Sequence, residues 1–333
     1  MEFTHPAWKA GLVAFPLALL AGCGGAGKTT GSGCGDTGGT HLVVFASDRG
    51  QSAGQFDLYL YDLDAQGFRL IRNISSPTVP DLHPAISSDG LVIAFQSDRG
   101  GAGKSDILLY GRCQQGLLSL PGVNTSDDET EPVFTGDAIK LAFVRATAGA
   151  KRIHLVNGLG DTLVPLAGLD TVAAFNDYSP SPDQTGSKIA FVSDRNGNPD
   201  VFVWDRSART VLDLPDLISP GNDVDPSITP DGHYLCFASD RAGGAGGYDL
   251  YLYDLVNKVF VPLPTSPVAV NSAGDERHPA ISFSGDVIVF QLNRSGGAGG
   301  WDLYNCRRST NSVGQGFQES SSSDDIDPAL LYP

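Results

Sequence analysis

One signature recurs six times along this chain of 333 residues. It reads LVVFASDR at 42–49, VIAFQSDR at 92–99, LAFVRAT at 141–147, IAFVSDR at 189–195, LCFASDR at 235–241 and VIVFQLNR at 287–294. Its phenylalanines, Phe45, Phe95, Phe143, Phe191, Phe237 and Phe290, stand 50, 48, 48, 46 and 53 residues apart. Such a period means one supersecondary unit, repeated, that cannot bury its apolar face alone. A second signature leads into the first: DLHPAISSDG, ETEPVFTGD, DYSPSPDQTG, DVDPSITPDG and ERHPAISFSG. A third follows it: DLYLYD at 57–62, DILLYG at 106–111, DVFVWD at 200–205, DLYLYD at 249–254 and DLYNC at 302–306, with RIHLVN at 152–157 in the third repeat.

These segments are β-branched and aromatic, and turn residues separate them, so each reads as a strand. A short fourth strand fits around GLLSLP and KVFVPLP. Four strands in about 48 residues is the unit of a β-propeller. A β-solenoid, the competing repeat fold, usually has a shorter period and needs capped ends. The first repeat starts at HLVVFASDR without a lead-in segment, and DIDPALLYP at 325–333 is a lead-in with nothing after it. The expected fold is therefore all-β. It is a six-bladed β-propeller of four-stranded antiparallel blades, closed by the C-terminal segment pairing into the first blade. Closure removes the free sheet edges that invite aggregation.

Over roughly 41–333 the chain resembles the TolB-like, WD40-like β-propeller repeat group, whose hallmark is similar to HPAISSDGLVIAFQSDRGG…DILLY here. That group includes a periplasmic component that contacts a peptidoglycan-associated lipoprotein, and propellers fused to proteases or to peptidoglycan-binding modules. The resemblance thus implies a propeller of the cell envelope that works by binding.

The N-terminus supports an exported chain. KAGLVAFPLALLAG is continuously apolar after Lys9 and closes on small residues, the pattern of a secretory leader. Leu20, Ala21, Gly22 and Cys23 look like the processing box of bacterial lipoproteins. The expected organisation is a lipoprotein signal peptide over 1–22, a glycine-rich tether over 23–40 and a propeller over 41–333. Cys23 would carry the lipid, and more than one acyl chain makes such anchoring stable. Gly24 after the cysteine favours the outer membrane. Gly22, Gly27, Lys28 and Thr29 also spell a phosphate-binding loop. The segment that follows, TTGSGCGDTGG, cannot nucleate the helix that such a loop needs, so no nucleotide is expected. A net charge of −16 argues against nucleic acid, which requires clustered cations. Of the remaining cysteines, Cys236 reads as a small buried thiol, while Cys34, Cys113 and Cys306 do not form the pattern of a disulfide framework.

Three residues before each lead-in proline the sequence is acidic: Asp81, Glu129, Asp177, Asp223, Glu276 and Asp325. Four residues after the signature phenylalanine stand Arg49, Arg99, Arg195, Arg241 and Arg294, with Thr147 in the third repeat and Arg145 nearby. In a meander these groups meet on one rim near the central channel. The expectation is an acid–arginine pair in each blade, holding loops through bidentate geometry. The competing reading is an acidic ring that faces the channel and binds a cation or a basic partner. Asp48, Asp98, Asp194 and Asp240 precede the arginines, and Asp57, Asp106, Asp200, Asp249 and Asp302 begin the third strands. Calcium takes such oxygens, but no 12-residue calcium loop is present, so no cofactor is assigned.

Loops rich in glycine, GQSAGQF, AGGAGGY and SGGAGGW, end in Phe56, Tyr248 and Trp301. They are candidate recognition elements for a protein, peptide or glycan of the envelope. His83 and His278 share the slot before the proline, where Asp225 and Asp327 stand in other repeats. Neither G-x-S-x-G nor H-E-x-x-H occurs. The expected function is non-catalytic binding or complex assembly at one propeller face. The alternative is a hydrolase or lyase acting on an oligosaccharide or peptide, with His and Asp residues at the channel mouth. A convergence of His83, His278 and a carboxylate in a pocket would favour that alternative.

Overall fold

The computed structural model describes residues 41–331 apart from 53, 77, 101–103, 159–161, 170–174, 267, 295–299 and 316–322. The expected leader, the tether and Cys23 lie outside the described residues. Six four-stranded antiparallel sheets form a six-bladed β-propeller. The innermost strands are Asp325–Leu331, Asp81–Ile86, Asp128–Phe134, Asp177–Pro182, Asp223–Ile228 and Asp275–Ile281, in blades 1 to 6. Blade 1 takes its innermost strand from the C-terminal end, with Ser47 opposite Asp325 and Leu42 opposite Leu331. The ring is thus closed by hydrogen bonds between the two ends of the propeller, as the split repeat implies.

The second strand of each blade carries the signature, and all six signature phenylalanines are fully buried. They pack between neighbouring sheets. One cluster joins blades 1 and 2 through Val44, Leu60, Ile93 and Phe95, and another joins blades 6 and 1 through Val289, Leu303, Phe45 and Tyr61. Every such contact is apolar surface removed from water, at about 25 cal/mol per Å². Cys236 and Cys306 are free buried thiols, whereas Cys113 is disulfide-bonded. No helix among the described residues is long and apolar enough to cross a membrane.

One backbone device appears in every blade. The residue before the lead-in proline has a positive φ: His83 46°, Glu131 54°, Ser179 49°, Asp225 54°, His278 47° and Asp327 53°. The register slips at the same place, between Leu82 and Ala85 in blade 2 and at the equivalent points of the others. Proline cannot donate to the ladder, so the strand bulges there, leaving two residues opposite the single signature phenylalanine. The bulge matters for function because it places the residue before the proline on the channel. A β-branched side chain tolerates this conformation poorly. Ser179→Val should cost roughly 1–2 kcal/mol, and Ser179→Gly should not; urea denaturation of both variants checks this.

Candidate functional site at the channel mouth

The lead-in acids sit at the start of the innermost strands and are between 0 and 4 % exposed. Arg49 Nη2 lies 2.7 Å from both carboxylate oxygens of Asp325. Arg195 reaches Asp177 at 2.9 Å, Arg241 reaches Asp223 at 3.0 Å, and Arg99 pairs with Asp81. In blade 3 Thr147 leaves the pairing to Arg145, whose Nε is 2.7 Å from Glu129. The same guanidinium groups lie over the signature rings, for instance Arg49 at 5.3 Å from Phe45 and Arg241 at 5.2 Å from Phe237. They also donate to carbonyls of the connecting loops, Arg145 to Val123 at 2.6 Å and Arg241 to Leu217 at 3.1 Å. Each arginine therefore ties a strand start, a core ring or a loop into one joint. Burial pushes the Asp81 carboxyl up to about 6, against the opposing pull of Ser97 and Arg99.

Blade 6 departs from the expected pairing. Serine hydroxyls at 47, 193 and 239 accept the guanidinium Nε at 2.9–3.0 Å in blades 1, 4 and 5. Leu292 occupies that place in blade 6, opposite Glu276. Arg294 is exposed and stacks over the Tyr304 ring at 4.8 Å. Glu276 instead accepts the Ser272 amide at 3.1 Å and its hydroxyl at 2.6 Å. Burial, only partly opposed by those bonds, pushes Glu276 up to about 7.

The other expected sites resolve into joints as well. The carbonyls of Phe56, Tyr248 and Trp301 accept the amides of Asp81, Glu276 and Asp325 of the following blade, at 2.8–2.9 Å. These aromatics are half-buried, and Tyr248 packs into the core beneath Arg277, 4.3 Å away. Asp194 and Asp240 hold the amides of Asn176 and Asn222, and Asp249 holds those of the glycine loop at Ala245 and Gly246. Among the described residues no group of three or more His, Cys, Asp or Glu is arranged to hold a metal.

The channel itself is lined two positions further along. Its cavity of about 540 Å³ is bordered by His83, Glu131, Ser179, Asp225, His278 and Asp327, with Lys151, Tyr178 and Arg277 beside them. Acids alternate with other residues around this ring, and the alternation has a backbone cause. Asp327, Glu131 and Asp225 accept the amides of His83, Ser179 and His278 in the next blade, at 3.4, 2.6 and 3.2 Å. Blades 2 and 6 carry histidine at this position and cap the following blade differently. There Gln96 accepts the Glu131 amide at 3.3 Å, and Gln291 accepts the Asp327 amide at 2.9 Å. The glutamines stand directly after the signature phenylalanine, and they relieve the histidines of a structural task. Sequence reasoning missed this exchange, although the AFQSD and VFQLN segments carry its signal.

The histidines converge. His83 Nδ1 is 3.3 Å from Asp327 Oδ2, His278 Nδ1 is 3.4 Å from Asp327 Oδ1, and the two rings are 6.2 Å apart. His278 Nε2 lies 3.7 Å from Asp225, which Arg277 Nε contacts at 2.5 Å. Burial pushes the Asp225 carboxyl up, but His278 and Arg277 outweigh it and hold the group below the usual carboxylate range. The mouth thus contains two imidazoles and a guanidinium, each oriented by a nearly buried carboxylate.

No family model matches the chain, and no curated relative matches it. Solved structures do share the fold. TolB from Acinetobacter baumannii aligns with a TM-score of 0.64 at 17% identity, over 88% of this chain and 67% of that one. A putative TolB from Agrobacterium tumefaciens gives 0.59 at 15%, over 88% and 98%. An oligogalacturonate lyase in complex with manganese gives 0.54 at 14%, over 82% and 73%. At such identities the likeness establishes the propeller fold, on which many unrelated functions are built.

Proposed function

We propose that this chain is a recognition propeller of the bacterial cell envelope, anchored through Cys23 and binding a protein, peptide or glycan at its channel mouth. The observation that carries this reading is the release of His83 and His278 from backbone capping, which Gln96 and Gln291 perform in their blades. Side chains kept off the fold's own hydrogen-bond ladder, in a cavity of about 540 Å³, are available to a ligand. The TolB-like folds agree with an envelope role, the processing box at 20–23 supports a lipid anchor, and Gly24 after Cys23 favours the outer membrane.

Crosslinking in intact cells, followed by identification of captured envelope components, tests this reading. The double variant His83→Ala/His278→Ala should lose at least tenfold of the specific adduct. Its melting temperature should fall by only a few degrees, since the amide caps remain. An adduct of undiminished yield that maps to the outer strands would refute it. The second reading, a hydrolase or lyase, is favoured by one observation, the bridging of both imidazoles by Asp327. It requires turnover of a peptide or oligosaccharide that disappears in His278→Ala.

A further inference from the structure

We infer that the chemical group seated at this channel mouth is a carboxylate. The inference rests on the reading of the mouth as a recognition site, and it fixes the sign of the ligand. Formal charge does not decide the matter, because three acids stand among Arg277, Lys151 and two histidines. Exposure does. The side chains of Lys151, His83, His278 and Arg277 are 44, 33, 30 and 26 % exposed, whereas Glu131, Asp225 and Asp327 are 18, 8 and 8 % exposed. A ligand entering the cavity therefore meets donors first, with the acids recessed behind them.

The hydrogen-bond ledger points the same way. Asp225 Oδ2 receives Arg277 Nε and the His278 amide. Asp327 receives the His83 amide and stands against both imidazoles, and Glu131 Oε2 receives the Ser179 amide. The acids are thus engaged by the protein itself. Arg277, stacked over the Tyr248 ring, hydrogen-bonds only through Nε, leaving both terminal nitrogens without a hydrogen-bond partner among the described residues. Those two nitrogens form half of the fork that matches a carboxylate. Lys151 Nζ is 4.0 Å from Glu131, too far for a hydrogen bond, and lies 5.0 Å from the Tyr178 ring. Burial pushes Tyr178 up to about 12, so its phenol remains a neutral donor.

The chain's net charge of −16 opposes such a ligand at long range. At physiological salt, charges more than about 8 Å away are largely screened, so the local donors govern binding. A carboxylate reaches an envelope site either as an acidic or terminal group of a peptide or as a uronic acid of a glycan. Both share the recognised chemistry.

The test is calorimetric titration of the full chain with an N-acetylated tri-aspartate peptide and with a tri-uronate, each beside its methyl ester. One of the acids should bind at least tenfold more tightly than its ester, and which one identifies the source. Arg277→Gln should lose that preference. Lys151→Gln, whose parent side chain is only partly buried, should weaken the acid by roughly threefold and leave the ester unchanged. Equal binding of acid and ester, tighter binding of spermine, or no binding of either acid at millimolar concentration overturns the inference. None of these outcomes touches the broader reading, which stands or falls on adducts lost with both histidines.

Discussion

Arg49→Met should lower the stability of the propeller by about 3 kcal/mol or more, the usual result of leaving one member of a buried ion pair behind. Arg49 Nη2 is the group that contacts both oxygens of Asp325, whose side chain is 5 % exposed. Asp325 begins the strand that the C-terminal end contributes to blade 1, so the pair sits on the joint that closes the ring. Methionine keeps much of the apolar bulk beneath the guanidinium, which lies 4.7–5.3 Å from the Phe45, Tyr59 and Phe68 rings. The lost stability thus reports the abandoned carboxylate rather than a cavity. Burial already raises Asp325 even with Arg49 present. Without the arginine it should take up a proton on folding, and the deficit should grow with pH. Adding Asp325→Asn should recover part of the loss, because a neutral amide is cheaper to bury. Urea denaturation of the two single variants and the double variant measures this coupling. An Arg49→Met midpoint equal to the parent's would show that the pair is irrelevant to closure.

Glu276 makes the opposite kind of weak point, a joint that lacks its arginine. Its Oε2, like Asp249 Oδ1, is buried without a hydrogen-bond partner among the described residues. Burial is the largest cause of its rise from 4.5 to about 7, and Asp249 and Asp275 add to it. A folded-state value above the unfolded one means that folding favours the protonated form. The stabilisation is complete below the unfolded value of 4.5 and is lost as pH climbs through 7. At about 1.4 kcal/mol per unit, the loss is on the order of 3 kcal/mol by pH 8. Asp81, raised from 3.8 to about 6, contributes in the same direction over a lower range. Glu276→Gln cannot lose a proton, so it should match the parent near pH 4.5 and exceed it by up to about 3 kcal/mol at pH 8. Denaturation midpoints at half-unit intervals compare the two proteins. A difference that stays constant across the range would mean that Glu276 does not titrate in this interval.

Much of the fold was legible in the residues because a propeller is a repeat, and a repeat writes its period, its strand count and its closure into one dimension. The 46–53-residue spacing of the phenylalanines, the turn residues between strands and the orphan DIDPALLYP determine six blades without any distance being known. The acid–arginine pairs were legible for the same reason, except in blade 6. There Leu292 in place of serine was visible, but that Arg294 would lie over the Tyr304 ring rather than on Glu276 was not.

The channel site was only half legible. His83 and His278 could be aligned with Asp225 and Asp327, but nothing in a linear pattern says whether a side chain faces a channel or a neighbouring strand. That was decided by the bulge at each lead-in proline, which gives six residues a positive φ and turns them onto the axis. The acids two positions earlier, more regular in sequence, turned out buried in the joints. The sequence by itself thus determined the architecture, since strand period and closure are local and additive along the chain. Only the tertiary structure decided which ring of polar residues meets a ligand. Exposure on the axis depends on how six blades crowd together, and no single repeat contains that information.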